Sequence, residues 1–355
     1  MPHTQFHRVP IGTLCRHFFR LGWSGFGGGI VVLSQLHTLV VERGKWLSER
    51  EFLHTLSLAQ IMPGACAANA ITFVGLRHSG VSTALLVTGC YLGPGFLAML
   101  ALSVLYAFYA GLEGVRPFLS GFSAAMVALA AAMAVKMYRR AVKRHWQLAV
   151  LVASATLPVL LHFPVLEVAV LGAAAGLIVD TVHKRQRLTR RRRRKHYRPM
   201  SVRPFPTINP PDETGSTMVA ALALPVLLFP IIPSELLSLA GAFLRMGVVA
   251  FGGGFTVIPL LAQEAVANQG WIDARALADG VALAQITPGP LLLTSTFVGF
   301  KMGGLSGAIV ATLAIFIGPA LLTILAGKSL HRLRHSRPLR AALRGLAPAV
   351  VGLLF

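Results

Sequence analysis

A block near the start of this chain returns 225 positions later, and both copies are strongly apolar. Phe18, Arg20, Gly22 and Phe26-Gly27-Gly28-Gly29 recur as Phe243, Arg245, Gly247 and Phe251-Gly252-Gly253-Gly254. At the same offset Trp46 becomes Trp271, and Ala59-Gln60-Ile61-x-Pro63-Gly64 becomes Ala284-Gln285-Ile286-x-Pro288-Gly289. Between residues 17 and 64, 18 of 48 ungapped positions are identical, far more than unrelated segments share. Such a chain must fold as two copies of one unit. A duplicated apolar unit interrupted by Gly and Pro at matching places is the sequence signature of a secondary transporter, and the interruptions point to where its ligand sits.

Composition agrees. Apolar residues make up 55% of the chain and charged residues only 13%, with a mean hydropathy of +0.67, whereas a soluble domain is nearer a quarter charged. The charge is lopsided, 33 Lys plus Arg against 12 Asp plus Glu, and it collects at the ends of apolar segments. Ten of the fifteen residues from Lys184 to Arg198 are basic. Between two membrane blocks this run reads as a cytoplasmic linker obeying the positive-inside rule, lying against anionic headgroups, rather than as a nucleic-acid patch. Cys15, Cys66 and Cys90 show no CxxC spacing and no His-rich pairing, so they read as small core residues and neither a disulfide framework nor a metal site is expected. No cofactor motif is present, and the polar first ten residues do not form a cleavable signal peptide.

The apolar stretches fall at about 11–41, 52–76, 81–110, 119–137, 147–161 and 164–183, then 217–232, 235–266, 276–300, 305–327 and 345–355. The expected fold class is therefore an all-α integral membrane protein with about 10–11 apolar segments. Its first repeat with an accessory hairpin occupies 1–183, a basic linker 184–216, and a second repeat 217–355. Full spans need about 20 residues. The stretches at 11–41 and 52–76 are interrupted at Gly27-Gly28-Gly29 and Pro63-Gly64, so they read as broken or re-entrant helices. Irregular backbone at membrane depth is tolerated only where protein or a watery cavity surrounds it. Ser48 with Glu51 forms a capping box after Trp46, and Asp273 takes the cap position after Trp271.

Charge also orients the repeats. Lys136, Arg139, Arg140, Lys143 and Arg144 follow one span, and the Arg-rich linker follows the hairpin, so both belong in the cytoplasm. The loop at 111–118 carries only Arg116 and should be outside. Its counterpart in the second copy carries Lys328, Arg332, Arg334, Arg337, Arg340 and Arg344, which places it inside. The same unit then sits in opposite orientations, with 217–232 as the additional crossing. This is the pattern of an inverted-topology repeat. Gly345 to Phe355 matches the opening of the first-half span at Gly121, which leads us to expect a truncated C-terminus.

Phe-Gly-Gly-Gly, then Ala-Gln-Ile-x-Pro-Gly, then Thr72-Phe73-Val74-Gly75-Leu76-Arg77, resembles the chromate transporter (chromate ion transporter, CHR) family in its two-domain form. The second half repeats the last element as Thr296-Phe297-Val298-Gly299-Phe300-Lys301, and Gly93-Pro94 and Gly318-Pro319 close each unit. The resemblance covers about 13–105 and 240–327. Long members usually have Gly-Gly-Pro and Pro-Gly-Pro in the first half, where this chain has Gly27-Gly28-Gly29 and Pro63-Gly64-Ala65, so both halves look like the short, paired members. The resemblance implies a multi-pass inner-membrane protein that exports chromate, with sulfate as the look-alike oxyanion. A homodimer is a further expectation.

The chemistry can be argued without the name. Broken helices direct free backbone N–H groups and the positive dipole end at an anion, and consecutive glycines let backbone approach it closely. Each helix end contributes only about 0.3–2 kcal/mol, too little for a dianion. Arg20 and Arg245, each seven residues before the first Gly of its break, are the candidates for the remaining charge, because an intramembrane Arg is costly and guanidinium suits bidentate oxyanion binding. The substrate-binding set read from sequence is Arg20, Gly27, Gly28, Gly29, Gln60, Pro63 and Gly64, with Arg245, Gly252, Gly253, Gly254, Gln285, Pro288 and Gly289 in the second half. Asn69, Thr72 and Thr296 read as glue between helices, and Arg77 and Lys301 as anchors at opposite faces. No Asp or Glu falls clearly inside a span of either repeat core, so no coupling ion is visible. Against transport stand a passive anion channel, a scaffold role and an intramembrane protease. The protease would rest on Gly22-Trp23-Ser24-Gly25 with His37, His54 or His162 as base, but Ser24 becomes Val249 in the second copy while the flanking glycine and Phe are kept.

Overall fold

The protein is described by a computed structural model covering residues 9–26, 28–109, 142–161, 165–191, 233–250, 254–328 and 337–352, with isolated positions between 117 and 139. The described residues are helical throughout, with no strand among them. The first half supplies α1 (Ile11–Trp23), α2 (Gly29–His37, continued by a π turn at Thr38–Arg43), α3 (Glu49–Ala59), α4 (Cys66–Ser79) and α5 (Val81–Tyr109). A hairpin follows, α6 (His145–Leu161) and α7 (Val165–Arg191). In the second half come α8 (Ser234–Val249) and a short α9 (Val257–Leu261), the latter between a 3-10 turn at Gly254–Thr256 and a π turn at Ala262–Asn268. Then come α10 (Ala274–Ile286) and α11 (Thr294–Lys328), which is entered by a 3-10 turn at Leu291–Leu293, and last α12 (Arg337–Gly352).

The repeat is visible element by element, because the local signals are duplicated. α1 and α8 each stop before the glycine-rich loop. Both copies carry a π turn just ahead of the repeated Trp, Trp46 and Trp271. α3 starts on the full capping box, with Ser48 accepting from the Glu51 N–H and the Glu51 carboxylate accepting from the Ser48 N–H. α10 starts on Asp273, which accepts from the Ala276 N–H at 2.6 Å. Both α3 and α10 then break at Pro-Gly.

α4 and α5 form a hairpin turned at Gly80, whose φ of 90° suits glycine alone. The second copy looks at first like one long helix, yet it turns at Gly303 and Gly304, the latter at φ 59°. Thr296 and Thr312 show the turn directly: their hydroxyls are bonded at 2.8 Å, whereas 16 residues of straight helix would separate them by about 24 Å. The equivalent bond in the first half is Thr72 to Thr88, also 2.8 Å. These buried hydroxyl pairs are the interhelical glue expected of Thr72 and Thr296. Glycine makes the close approach possible. A Cβ on Gly75 would meet the Ala84 Cα at 2.7 Å, and one on Gly299 would meet the Ala311 methyl at 2.7 Å.

Val81–Tyr109 is long and apolar enough to cross a bilayer by length and composition, and Leu291–Gly327 is equally apolar although it folds back at Gly303-Gly304. Their outward faces are apolar too. Phe108 is 76% and Leu313 62% exposed, in company with Leu86, Leu97, Leu105, Leu305, Ile309 and Leu325. In water such a surface would aggregate; in lipid it is the solvated one.

The chain separates into two compact units, 1–133 with 210–327, and 134–209 with 328–355. The second is built on small residues. Gly172 and Gly176 lie one turn apart on α7 and let α12 approach until their backbones touch the Gly345 backbone, and Gly352 lies against the Leu151 carbonyl of α6. This is the small-xxx-small packing that membrane helices use in place of a hydrophobic drive. Residues 192–216, the rest of the basic linker, fall outside the described residues.

Candidate functional site

Four interruptions converge in the first unit. The Gly64 N–H donates to the Ala250 carbonyl at 2.6 Å, and the Gly289 N–H donates to the Gly25 carbonyl at 3.3 Å. Gly64 and Gly289 are repeat equivalents, and so are Gly25 and Ala250, so the two bonds are one contact made twice. Each Pro-Gly turn reaches across to the start of the other half's glycine-rich loop. The helices that carry Pro94 and Pro319 complete the arrangement. A Cβ on Gly64 would meet the Pro319 ring at 2.6 Å, and one on Gly95 would strike the Pro288 carbonyl oxygen. Gly64 and Gly289, at φ of 90° and 113°, hold conformations that side-chain-bearing residues rarely adopt.

The retained glycines of α1 and α8 have the same kind of cause. A Cβ on Gly22 would collide with the Tyr91 carbonyl, and one on Gly247 with the Ile315 carbonyl. Ile315 lies four residues before Pro319, so its carbonyl is one that proline leaves without a helical donor. In this way the proline-bearing stretch of each helix is pressed against the helix that leads into a break.

Gly28 is the N-cap of α2 at φ 85°, without a side-chain cap, and a Cβ on Gly28 or Gly29 would meet nothing within 4 Å. The α2 N-terminus is therefore open, and its first-turn N–H groups have no acceptor among the described residues. In the second half Gly254 packs against Leu291 at 2.7 Å and Leu292 at 3.1 Å, measured from an added Cβ. The glycine-rich loop and the Pro-Gly turn of one half are thus neighbours. Gly27, Gly252 and Gly253 lie outside the described residues.

Carbonyls freed by the first-half break are collected by Asn69. Its Nδ2 donates to the Pro63 carbonyl at 2.7 Å, and at 3.4 and 3.5 Å to those of Met62 and Ala59. Its Oδ1 accepts from Thr323 Oγ1 at 3.3 Å, tying the break to the opposite half. Asn69 is 2% exposed and acts as a structural plug.

The two glutamines differ. Gln60 is exposed. Gln285 Nε2 is buried with no hydrogen-bond partner, and so is the hydroxyl of Ser295, which is fully buried in the first turn of α11. Two orphaned polar groups on either side of Pro288-Gly289-Pro290 call for an explanation. Ser295 escaped the sequence reading because Ile71 stands at its repeat-equivalent position, so no repetition marked it.

Neither arginine touches a break. Arg20 lies on the exposed face of α1, and no hydrogen bond or ion pair ties its side chain to a described residue. Arg245 is 61% exposed and pairs with Glu264 at 3.3 Å, while Glu264 also accepts from Asn268 and Gln269. Leu39 occupies the position equivalent to Glu264, so only the second-half arginine has a carboxylate there. Arg77 pairs with Glu51 at 2.6 Å, and the Lys301 ammonium lies 5.7 Å from the centre of the Tyr106 ring.

One expectation is corrected. Asp279 lies in the 276–300 stretch, is 2% exposed, and accepts from the Tyr106 hydroxyl at 2.8 Å. A carboxyl is therefore buried inside the second repeat core. Periodicity missed it because it falls only six residues after the Asp273 cap, near the stretch end. The cysteines, free and placed on α1, α4 and α5, are only half-buried rather than fully buried core residues. As for a protease, the Ser24 hydroxyl bonds to Gln35 at 3.0 Å and to the Leu21 carbonyl at 3.4 Å, while the His37 ring is engaged by Glu49 and Glu42. His162 lies outside the described residues. No group of metal-ligating side chains occurs among the described residues.

Comparison with known proteins bears on this arrangement. A probable chromate transport protein of Synechococcus elongatus is 29% identical over 345 residues, covering 96% of this chain and 81% of that one. A chromate transport protein of Cupriavidus metallidurans is 29% identical over 353 residues, 98% and 82% of the two chains. A chromate transport protein of Pseudomonas aeruginosa is 26% identical over 343 residues, 96% and 78%. No solved structure matches the chain. The family model for the chromate transporter matches residues 12–178 and 237–355, so an all-helical membrane chain with paired, mutually docked helix breaks belongs to the chromate transporter family and is a transport protein rather than an enzyme.

Proposed function

We propose that this protein is a multi-pass inner-membrane carrier that exports chromate by alternating access, built from two repeats of inverted topology. The observation that carries the reading is the reciprocal pair of bonds, Gly64 to Ala250 and Gly289 to Gly25. Through it the Pro-Gly turns and the glycine-rich loops of both halves share one centre. An anion placed there meets helix N-termini from both repeats, with the open α2 N-terminus at Gly28-Gly29 as its approach. Gln285 and Ser295 supply side-chain donors from the second half. Arg20 and Arg245 supply positive potential on the two helices that lead into the breaks.

The membrane potential favours this direction. Moving a dianion out of a cell that is negative inside gains about 4.6 kcal/mol per 100 mV, at about 2.3 kcal/mol per charge. Chromate and sulfate share shape and charge, so the same site accommodates both, and sulfate competes.

The test is chromate content and chromate tolerance of a sensitive host with and without the gene. Expressing cells should hold less chromate, and excess sulfate should weaken the protection. Unchanged chromate content despite confirmed membrane expression would reassign the carrier to another oxyanion.

A further inference from the structure

We propose that Asp279 is a proton-binding site, and that its protonation controls a bond between the two halves of the carrier. The inference rests on the transporter reading above. Asp279 sits in the second turn of α10 and is 2% exposed, and its carboxylate accepts from Tyr106 near the end of α5, 173 residues away in the chain. A carboxyl inside a membrane protein is costly, and where it occurs it marks an ion pathway or a proton relay. This one lies on a seam that alternating access must break and remake.

The surroundings favour a proton over a metal cation. Tyr106 contributes a hydroxyl, which serves a carboxylate as donor and a carboxylic acid as acceptor. Its ring meets Phe297 of α11 edge-on at 5.0 Å, and a Cβ on Gly280, the residue after Asp279, would meet the Phe297 ring carbon Cγ at 3.0 Å. The two rings make an apolar wall beside the carboxyl, and no group of three or more metal-ligating His, Cys, Asp or Glu side chains occurs among the described residues. Charged groups lie close by on the neighbouring elements. Lys301 of α11 lies 5.7 Å from the Tyr106 ring centre, Arg275 and Asp273 are on α10 itself, and Glu264 of the preceding π turn is held by Arg245.

The two halves differ here. His54 stands at the position equivalent to Asp279, and the first half closes its own helices with the Glu51–Arg77 ion pair. The proton site therefore belongs to one half and bridges to the other, so its occupancy biases one orientation of the carrier. With the carboxylate ionised, Tyr106 donates and the seam is held by a charge-assisted bond. With one proton bound, the acid turns donor, the Tyr106 bond loses its charge assistance, and the seam is released. The proton leaves when the opposite state exposes Asp279. A proton moving inward as a dianion moves outward places both steps downhill in the membrane potential.

Infrared difference spectroscopy of the purified, reconstituted protein on acidification reads the protonation itself, whatever the substrate. Wild type should show a buried carboxyl band that is absent in Asp279→Asn and displaced in Tyr106→Phe, which keeps the acid and removes its partner. Chromate flux in the same vesicles links protonation to transport. An imposed pH gradient should accelerate wild type severalfold and leave Asp279→Asn unaffected, while chromate exchange without a gradient continues in the variant. A carboxyl band that survives Asp279→Asn, or a variant still driven by the gradient, overturns the proposal. If the Asp279 band is present but wild type moves no chromate, the substrate reading fails and the proton site stands.

Discussion

Replacing Asn69 separates a structural plug from a substrate ligand. In Asn69→Ala the Pro63 carbonyl, now bonded at 2.7 Å, is left buried without a donor. That costs about 1–3 kcal/mol. The contacts to Met62 and Ala59, at 3.4 and 3.5 Å, are at the limit of hydrogen bonding and add little. Thr323 can turn its hydroxyl back to a carbonyl of its own helix, so losing its 3.3 Å bond adds less than about 1 kcal/mol. The expected loss is then about 1–4 kcal/mol, most of it from one carbonyl. Asn69→Asp sharpens the reasoning. It keeps the size and the acceptor for Thr323, but it sets a carboxylate oxygen against the Pro63 carbonyl, so it should be less stable than Asn69→Ala. Equilibrium unfolding of the detergent-solubilised protein, followed by helical circular dichroism, measures both, with Thr323→Val as the small-effect control. Transport per folded molecule should change little in Asn69→Ala. If Asn69→Ala were as stable as wild type yet inactive, Asn69 would be a ligand. If Asn69→Asp were the more stable of the two, the assigned amide orientation would be wrong.

Glycines with different surroundings should fail differently. Gly28→Val places a side chain in open space at a φ of 85°, with a backbone cost of about 1–2 kcal/mol, so transport should be lost while membrane expression persists. Gly247→Val drives a side chain into the Ile315 backbone, and the amount of folded protein on a membrane immunoblot should itself fall. Arg20→Ala should impair transport more than Arg245→Ala, because Arg245 already spends its charge on Glu264 at 3.3 Å; Arg20→Lys, which loses the planar fork, should do nearly as much harm as Arg20→Ala. Normal chromate export by an expressed Arg20→Ala, Arg245→Ala double variant would make both arginines headgroup anchors. Single cysteines at positions 113 and 335 should label with an impermeant thiol reagent from opposite sides of the membrane, and labelling from one side would refute the inverted repeat.

Much of the unit was legible in the sequence, because its signals are local and occur twice. The caps at Ser48 and Asp273, and the helix ends at the glycine-rich and Pro-Gly breaks, depend on the backbone preferences of a few adjacent residues. The apolar stretches divided at about 300 and 305 anticipated the turn at Gly303-Gly304. Thr72 and Thr296 could be read as helix glue because membrane helices have few other uses for a buried hydroxyl. Repetition then guarded against accident: it discounted Ser24 and raised the glycines.

What only the tertiary structure decided is which surfaces meet. Nothing local says that the Gly64 N–H finds the Ala250 carbonyl in the other half, or that Asp279 reaches Tyr106. Those contacts follow from the docking of two complete units. The same reciprocity that made the repeat easy to see also hid Asp279, Ser295 and the Arg245–Glu264 pair, since each exists in one copy alone. Sequence symmetry determined the scaffold, and the departures from symmetry, which acquire meaning only when the halves are packed together, decided where a buried carboxyl and unpaired donors came to lie.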